Sequence, residues 1–210
     1  MGKRFVVLAA VVLMWSSIAW ARPALYVGME AGYTSLNHLV ELGIGSFPGL
    51  QLTPVVGIVP LSELSGFSVE LNFMMELFGW ESQVPPQELR AWILSPQLVA
   101  VYTFLEEPVR PFAGLGLGVN VNFARYGREV FDDRLGLKEM TTSSVEIPVS
   151  LAVVLKGGVR VAIPRSGFDL LAFLRYNLNF VGNVWLDNEL LLAAMNCSTF
   201  SFGLGAAYRF

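Results

Sequence analysis

Eight charged residues stand where a two-residue period throws them onto one side of an extended chain. They are Glu30, Glu70, Glu76 and Glu146 with Lys156, Arg160, Arg175 and Arg209. Four acids and four bases can pair with one another in an interior where a lone charge would be too costly. Two roles stay open for such a set: a polar plug that fills an enclosed space, or the lining of a narrow pore or gate. Catalysis has much thinner material. The chain has a single histidine, His38, with Ser35 and Glu41 nearby, and it lacks a Gly-x-Ser-x-Gly elbow, a phosphate-binding loop and a metal-spaced His/Glu pair. We expect no catalytic residues, no metal and no cofactor. Cys197 is the only cysteine, so no intrachain disulfide can form, and it is expected to be a small buried apolar residue.

The composition limits what could hold these charges. The chain has 210 residues, enough for one ordinary domain, with 54% hydrophobic and only 15% charged residues. A net charge of −3 gives no basic field for nucleic acid. At the start, Lys3 and Arg4 precede the apolar run FVVLAAVVLMW, and SSIAWA ends in Ala19-Trp20-Ala21. That order describes a secretory signal peptide over 1–21, cut after Ala21, with an uncleaved anchor as the alternative. The mature domain is then 22–210. Its apolar stretches are broken by Pro48, Pro54, Pro60 and Pro96, so none reads as a spanning helix of about 20 residues.

Alternation recurs instead, about eight times, in segments near the 9–11 residues of a tilted membrane-spanning strand. The expected strands are Ala24–Thr34, Leu50–Val59, Phe67–Phe78, Ala91–Phe104, Pro111–Phe123, Val145–Ile163, Phe168–Val181 and Ser198–Phe210. The fifth is the clearest: Ala113, Leu115, Leu117, Val119, Val121 and Phe123 alternate with Gly114, Gly116, Gly118, Asn120 and Asn122. The three glycines are expected to make room for bulky neighbours such as Phe173. The second strand is the weakest, because both faces are apolar and Pro54 removes a ladder donor. A bulge is expected at Gly157-Gly158.

Connections alternate in length. PLSELSG, LEEPVR and PRSG are short, whereas Leu36–Gly49, Gly79–Arg90, Ala124–Ser144 and Gly182–Asn196 are long. An even number of strands with short turns at one end and long loops at the other is the layout of an outer-membrane barrel. The oily face then meets lipid and the charged face closes around an axis, with all backbone groups paired. Aromatic residues sort to the two ends of the apolar band. Tyr33, Trp92, Phe123, Phe180 and Phe200 fall at the long-loop rim, and Tyr102, Phe104, Phe168, Tyr208 and Phe210 at the short-turn rim. The expected fold is all-β, an eight-stranded antiparallel transmembrane up-and-down barrel.

Two stretches carry a family resemblance. RPFAGLGLGVNVNF resembles a strand of the small outer-membrane barrels of the OmpA/OmpX/OmpW type, and FGLGAAYRF is similar to their C-terminal strand. The resemblance implies export to the outer membrane and surface-exposed long loops. It also implies insertion by the barrel-assembly machinery, reading Phe202, Leu204, Tyr208 and Phe210. It does not imply one function, since this barrel hosts several. The segment NVWLDNELLLAAMN is oily for a loop. Either it extends strands seven and eight above the membrane or packs over the barrel mouth, or its Trp185, Leu186, Glu189, Leu190 and Ala193, spaced for a short amphipathic helix, form a cap in which Trp185, Leu186, Leu190 and Leu191 are candidates to cover an apolar ligand. Arg125–Lys138 mixes charges of both signs and reads as a solvated loop. We expect a narrow pore or a binding and passage protein for small apolar solutes, with a plugged structural or adhesin-type barrel as the alternative. Expected partners are outer-membrane lipids, the assembly machinery, and apolar solutes or host surface molecules.

Overall fold

Every alternating stretch forms a strand, and the strands close on themselves. The computed structural model describes residues 24–37, 47–59, 66–83, 86–104, 108–132, 137–146, 149–181, 184–186, 189–192 and 195–210. The strands are β1 (Ala24–Asn37), β2 (Phe47–Val59), β3 (Phe67–Gln83), β4 (Pro86–Thr103), β5 (Val109–Asp132), β6 (Leu137–Glu146), β7 (Ser150–Ala162), β8 (Phe168–Val181), β9 (Val184–Leu186), β10 (Glu189–Leu192) and β11 (Met195–Arg209). Eight of them make the wall: β1 to β5, then β7, β8 and β11, which returns to β1. All neighbours are antiparallel. The expected signal peptide over 1–21 and His38 lie outside the described residues.

The register sets the tilt. A walk from Tyr26 across paired residues passes Gly57, Glu70, Val99, Gly116, Val154, Asn177 and Thr199. It re-enters β1 at Leu36, well along the strand from Tyr26. That stagger corresponds to strands inclined by roughly 35–45° to the barrel axis. Residues on one level of the lumen are therefore not those that face each other across the ladder.

The side-chain period decides the two surfaces. Leu117 and Leu204 are 68% and 71% exposed, whereas Glu70 and Asn72 are fully buried. The outer surface is a belt of large apolar side chains with aromatic contacts at its ends. Tyr102 packs edge-on against Phe104 with centroids 5.2 Å apart. Tyr208 contacts Phe168 at 4.9 Å and Phe210 at 5.0 Å. At the other rim Tyr33 meets Phe202 at 5.5 Å. Such a surface is stable against hydrocarbon, and the closed ladder leaves no sheet edge unpaired in the wall.

Several strands outrun the limits read from the sequence. Gly79–Gln83 pairs with Pro86–Arg90, and Ala124–Asp132 pairs with Leu137–Val145. Two of the long loops are thus largely hairpins standing above the belt. Arg125–Asp132, with its mixed charges, is strand, because the ladder of β6 satisfies its backbone. The oily segment after β8 is also strand. Val184–Leu186 pairs with Glu189–Leu192, and Leu186 and Trp185 pair with Val145 and Glu146 of β6. Of the two readings of this segment, strand and short amphipathic helix, the described residues show strand, since the edge of β6 offers partners that a lone short helix would lack.

The sixth expected strand is split. Ala124 faces Val145 and Asn120 faces Ser150, so the β6–β7 line takes one residue more than β5 between those pairs. The bulge expected at Gly157-Gly158 does not form, since Ala113 and Phe112 keep unbroken register with that pair. The paired prolines act locally. The β2–β3 register skips Thr53 and Pro54, and the β4–β5 register skips Ser95 and Pro96, as expected where a ladder donor is missing. The short turns use positive φ: Gly66 at 103° and Gly167 at 74°, with Arg165 at 64° between Ile163 and Phe168. The Ser166 hydroxyl holds that turn by donating to Ile163 O at 2.8 Å and accepting from Phe168 N at 3.0 Å.

Candidate functional site: charges buried in the lumen

Inward positions of four strands converge on one ion-pair chain. Lys156 of β7 lies between two carboxylates, with Nζ 2.5 Å from Glu30 on β1 and 2.6 Å from Glu70 on β3. Arg175 of β8 reaches the other oxygen of Glu30 at 2.7 Å, and Arg160 of β7 reaches the other oxygen of Glu70 at 2.5 Å. The order is Arg175–Glu30–Lys156–Glu70–Arg160. All five side chains are at least nine-tenths buried. Each charge has an opposite neighbour, which is the condition under which buried ions are tolerated.

Uncharged groups complete the chain. Tyr26 donates its hydroxyl to Glu70 at 2.7 Å, and its ring lies 5.0 Å from the Arg160 guanidinium. Phe112 faces the same guanidinium at 5.1 Å, and Phe173 lies 5.6 Å from Arg175. These contacts replace part of the hydration the cations lose. Arg175 also donates to Thr53 at 3.1 Å. Tyr26 fits because Gly57, opposite it, has no side chain: a Cβ there would overlap the ring. The tyrosine hydroxyl is neutral and bonded to a charge, where such a bond contributes about 1.5–3 kcal/mol. Tyr26→Phe should therefore lower the unfolding free energy in lipid vesicles by about that much. A change under about 0.5 kcal/mol would mean that the hydroxyl contributes nothing.

The network expected from the sequence is partly regrouped. Glu30, Glu70, Lys156, Arg160 and Arg175 come together as one chain. Glu76 stands apart, accepting from Thr34 at 2.8 Å and Ser201 at 3.3 Å, with no ion pair among the described residues. Arg209 also stands apart, paired with Asp169 at 2.9 Å near the short-turn rim. Asp169 takes a second cation there, Arg110, at 2.5 Å. Arg110 lies just before the strand start read at Pro111, and Asp169 is on the polar face of its strand, so the phase of the alternation could have flagged it. The side chain of Glu146 lies outside the described residues. Those of Trp185, Leu186, Leu190 and Leu191 do too, although their backbones belong to β9 and β10. Phe202, Leu204, Tyr208 and Phe210 lie on the outward face at the end of the chain, Leu204 and Phe210 the most exposed of them.

The lumen is also less polar than the alternation implies. Tyr26, Val99, Val101, Phe112, Val154, Leu171 and Phe173 form a buried apolar cluster. Gly114, Gly116 and Gly118 lie against Val99, Val101, Ser95 and Gln97 of β4, not against Phe173. Their role is to admit the neighbouring strand's side chains. Past the ion-pair chain, Gln97 donates to Ser95 at 3.1 Å and Asn177 to Thr199 at 2.9 Å. At this level the inward side chains Asn72, Ser95, Gln97, Asn177 and Thr199 are buried, in keeping with the narrow interior of an eight-stranded barrel.

No protein-family model and no curated protein matches this chain. Solved structures do. Neisserial surface protein A, NspA, is 16% identical, with 89% of this chain and 97% of that chain covered at a TM-score of 0.56. A major outer membrane protein from Thermus thermophilus is 16% identical, with 90% and 99% covered at 0.54. Closed ladder, apolar outer belt, charged lumen and these likenesses converge: the chain has the fold of the small eight-stranded outer-membrane β-barrels.

Proposed function

We propose that this chain is a non-conducting barrel of the bacterial outer membrane whose plugged interior is a rigid stem for the structures at its long-connection end. The carrying observation is the Arg175–Glu30–Lys156–Glu70–Arg160 chain, which links β1, β3, β7 and β8 through the lumen. A permeant would have to part buried ion pairs, and breaking one costs about 3–5 kcal/mol. Of the two roles read from the sequence, this favours the plug over the pore. The reading includes no catalytic step. The working surface in this reading is the set of hairpins above the belt, Gly79–Arg90 and Ala124–Val145, with β9 and β10 extending the second. Export by a signal peptide and insertion by the assembly machinery belong to the same proposal.

Planar-bilayer recording of the refolded full chain tests it. We expect a silent membrane across the physiological voltage range. Discrete single-channel steps from the wild-type protein would restore the pore reading.

A further inference from the structure

The outer wall carries a second charged feature, outside the lumen. Just past the rim aromatics, Arg90 of β4 and Arg125 of β5 stand directly opposite one another in the ladder, both exposed and both pointing outward. Like charges at directly opposed positions destabilise a strand pair, unless something of opposite charge lies between them. Arg90 pairs with Glu88 of its own strand, while its side chain stays 73% exposed. Arg125 has no ion-pair partner among the described residues. The row beneath is apolar and continuous: Tyr33, Leu50, Leu77, Trp92 and Phe123 are paired in sequence across β1 to β5.

Between the two rows the wall is indented. Tyr33, Leu50, Leu77, Gly79, Arg90 and Trp92 border a depression of about 510 Å³. Gly79 deepens it, since a Cβ at that position would meet nothing within 4 Å. An apolar hollow at the height of the aromatic belt, with Arg90 at its lip and Arg125 beside Arg90 in the ladder, has the charge and polarity order of a lipid standing upright in a leaflet.

We propose that this indentation binds a phosphorylated glycolipid of the outer leaflet. One acyl chain lies in the hollow against Leu50, Leu77 and Trp92, and a phosphate monoester sits between Arg90 and Arg125. A doubly charged monoester competes with Glu88 for Arg90 and engages Arg125 as well, better than the singly charged diester of a phospholipid does. The proposal rests on the outer-membrane reading, with the long connections facing outward, and is independent of whether the lumen conducts.

The probe is diphosphoryl lipid A, added to the refolded full chain in neutral detergent micelles, with bound lipid counted by native mass spectrometry. We expect wild type to retain it at least ten-fold more tightly than the Arg90→Gln/Arg125→Gln variant. Dephosphorylated lipid A should bind both weakly and alike. Gly79→Trp, which fills the hollow and leaves the arginines, should also weaken retention. Heat-dependent gel mobility checks that each variant is folded; both arginines are on the surface, so folding should persist. Equal retention by wild type and the double arginine variant would overturn the site. Equal competition by phosphatidylglycerol would overturn the assignment to a phosphate monoester.

Discussion

Replacing Lys156 with methionine is expected to destabilise the barrel by about 3–5 kcal/mol, the cost of leaving a buried ion without its partner. Lys156 is the only cation that touches both Glu30 and Glu70 among the described residues. Without it, two fully enclosed carboxylates keep one arginine each and lose the charge between them. Methionine is of similar length and apolar, so packing is largely preserved and the loss is electrostatic. Denaturant titration in lipid vesicles, with the folded band on a gel as a second readout, measures the effect. Removing the opposing acid as well should return part of the loss. In the Glu70→Gln/Lys156→Met pair the amide can still accept from Tyr26 and Arg160, and the double-mutant cycle should show coupling of at least about 1 kcal/mol. Additive losses would mean that the two groups do not sense one another. The single Lys156 variant also bears on conductance, because a weakened plug is the condition under which current steps should first appear.

Gly203→Val is the second large effect. Gly203 of β11 and Gly32 of β1 are directly opposite at the seam where the last strand meets the first. A Cβ at Gly203 would meet the carbonyl of Ala31 and the Cα of Gly32, both backbone. Backbone held by ladders on both sides cannot step aside as a long side chain would. Overpacking at such a place should cost about 3 kcal/mol or more. Because the seam closes the barrel, refolding yield should fall together with stability. Gly79→Ala is the matched control, with open space around the new carbon, and should stay within about 0.5 kcal/mol of wild type. If Gly203→Val and Gly79→Ala behave alike, the close approach of β1 and β11 is not real.

Much of this molecule is written in a two-residue period. FSVELNFMMELF and RPFAGLGLGVNVNF state by themselves which side chains share a face. A membrane gives the oily face only one tolerable surrounding. Period and solvent together therefore determine the strands, the outer belt, and the inward direction of Glu30, Glu70, Lys156 and Arg175. What the period cannot carry is stagger. Glu70 meets Lys156 and Arg160 because strands tilt around the axis, and tilt depends on the register of every pair in the closed ladder. For the same reason Glu76 and Arg209, on the same faces, end in separate groups. Local patterning also failed where partners were available only in three dimensions. Arg125–Asp132, with charges of both signs and a glycine, reads as a solvated loop alone, yet it is held by the ladder of β6. The opposed Arg90 and Arg125 belong to this second kind, since nothing in the order of residues says that two positions so far apart will face each other.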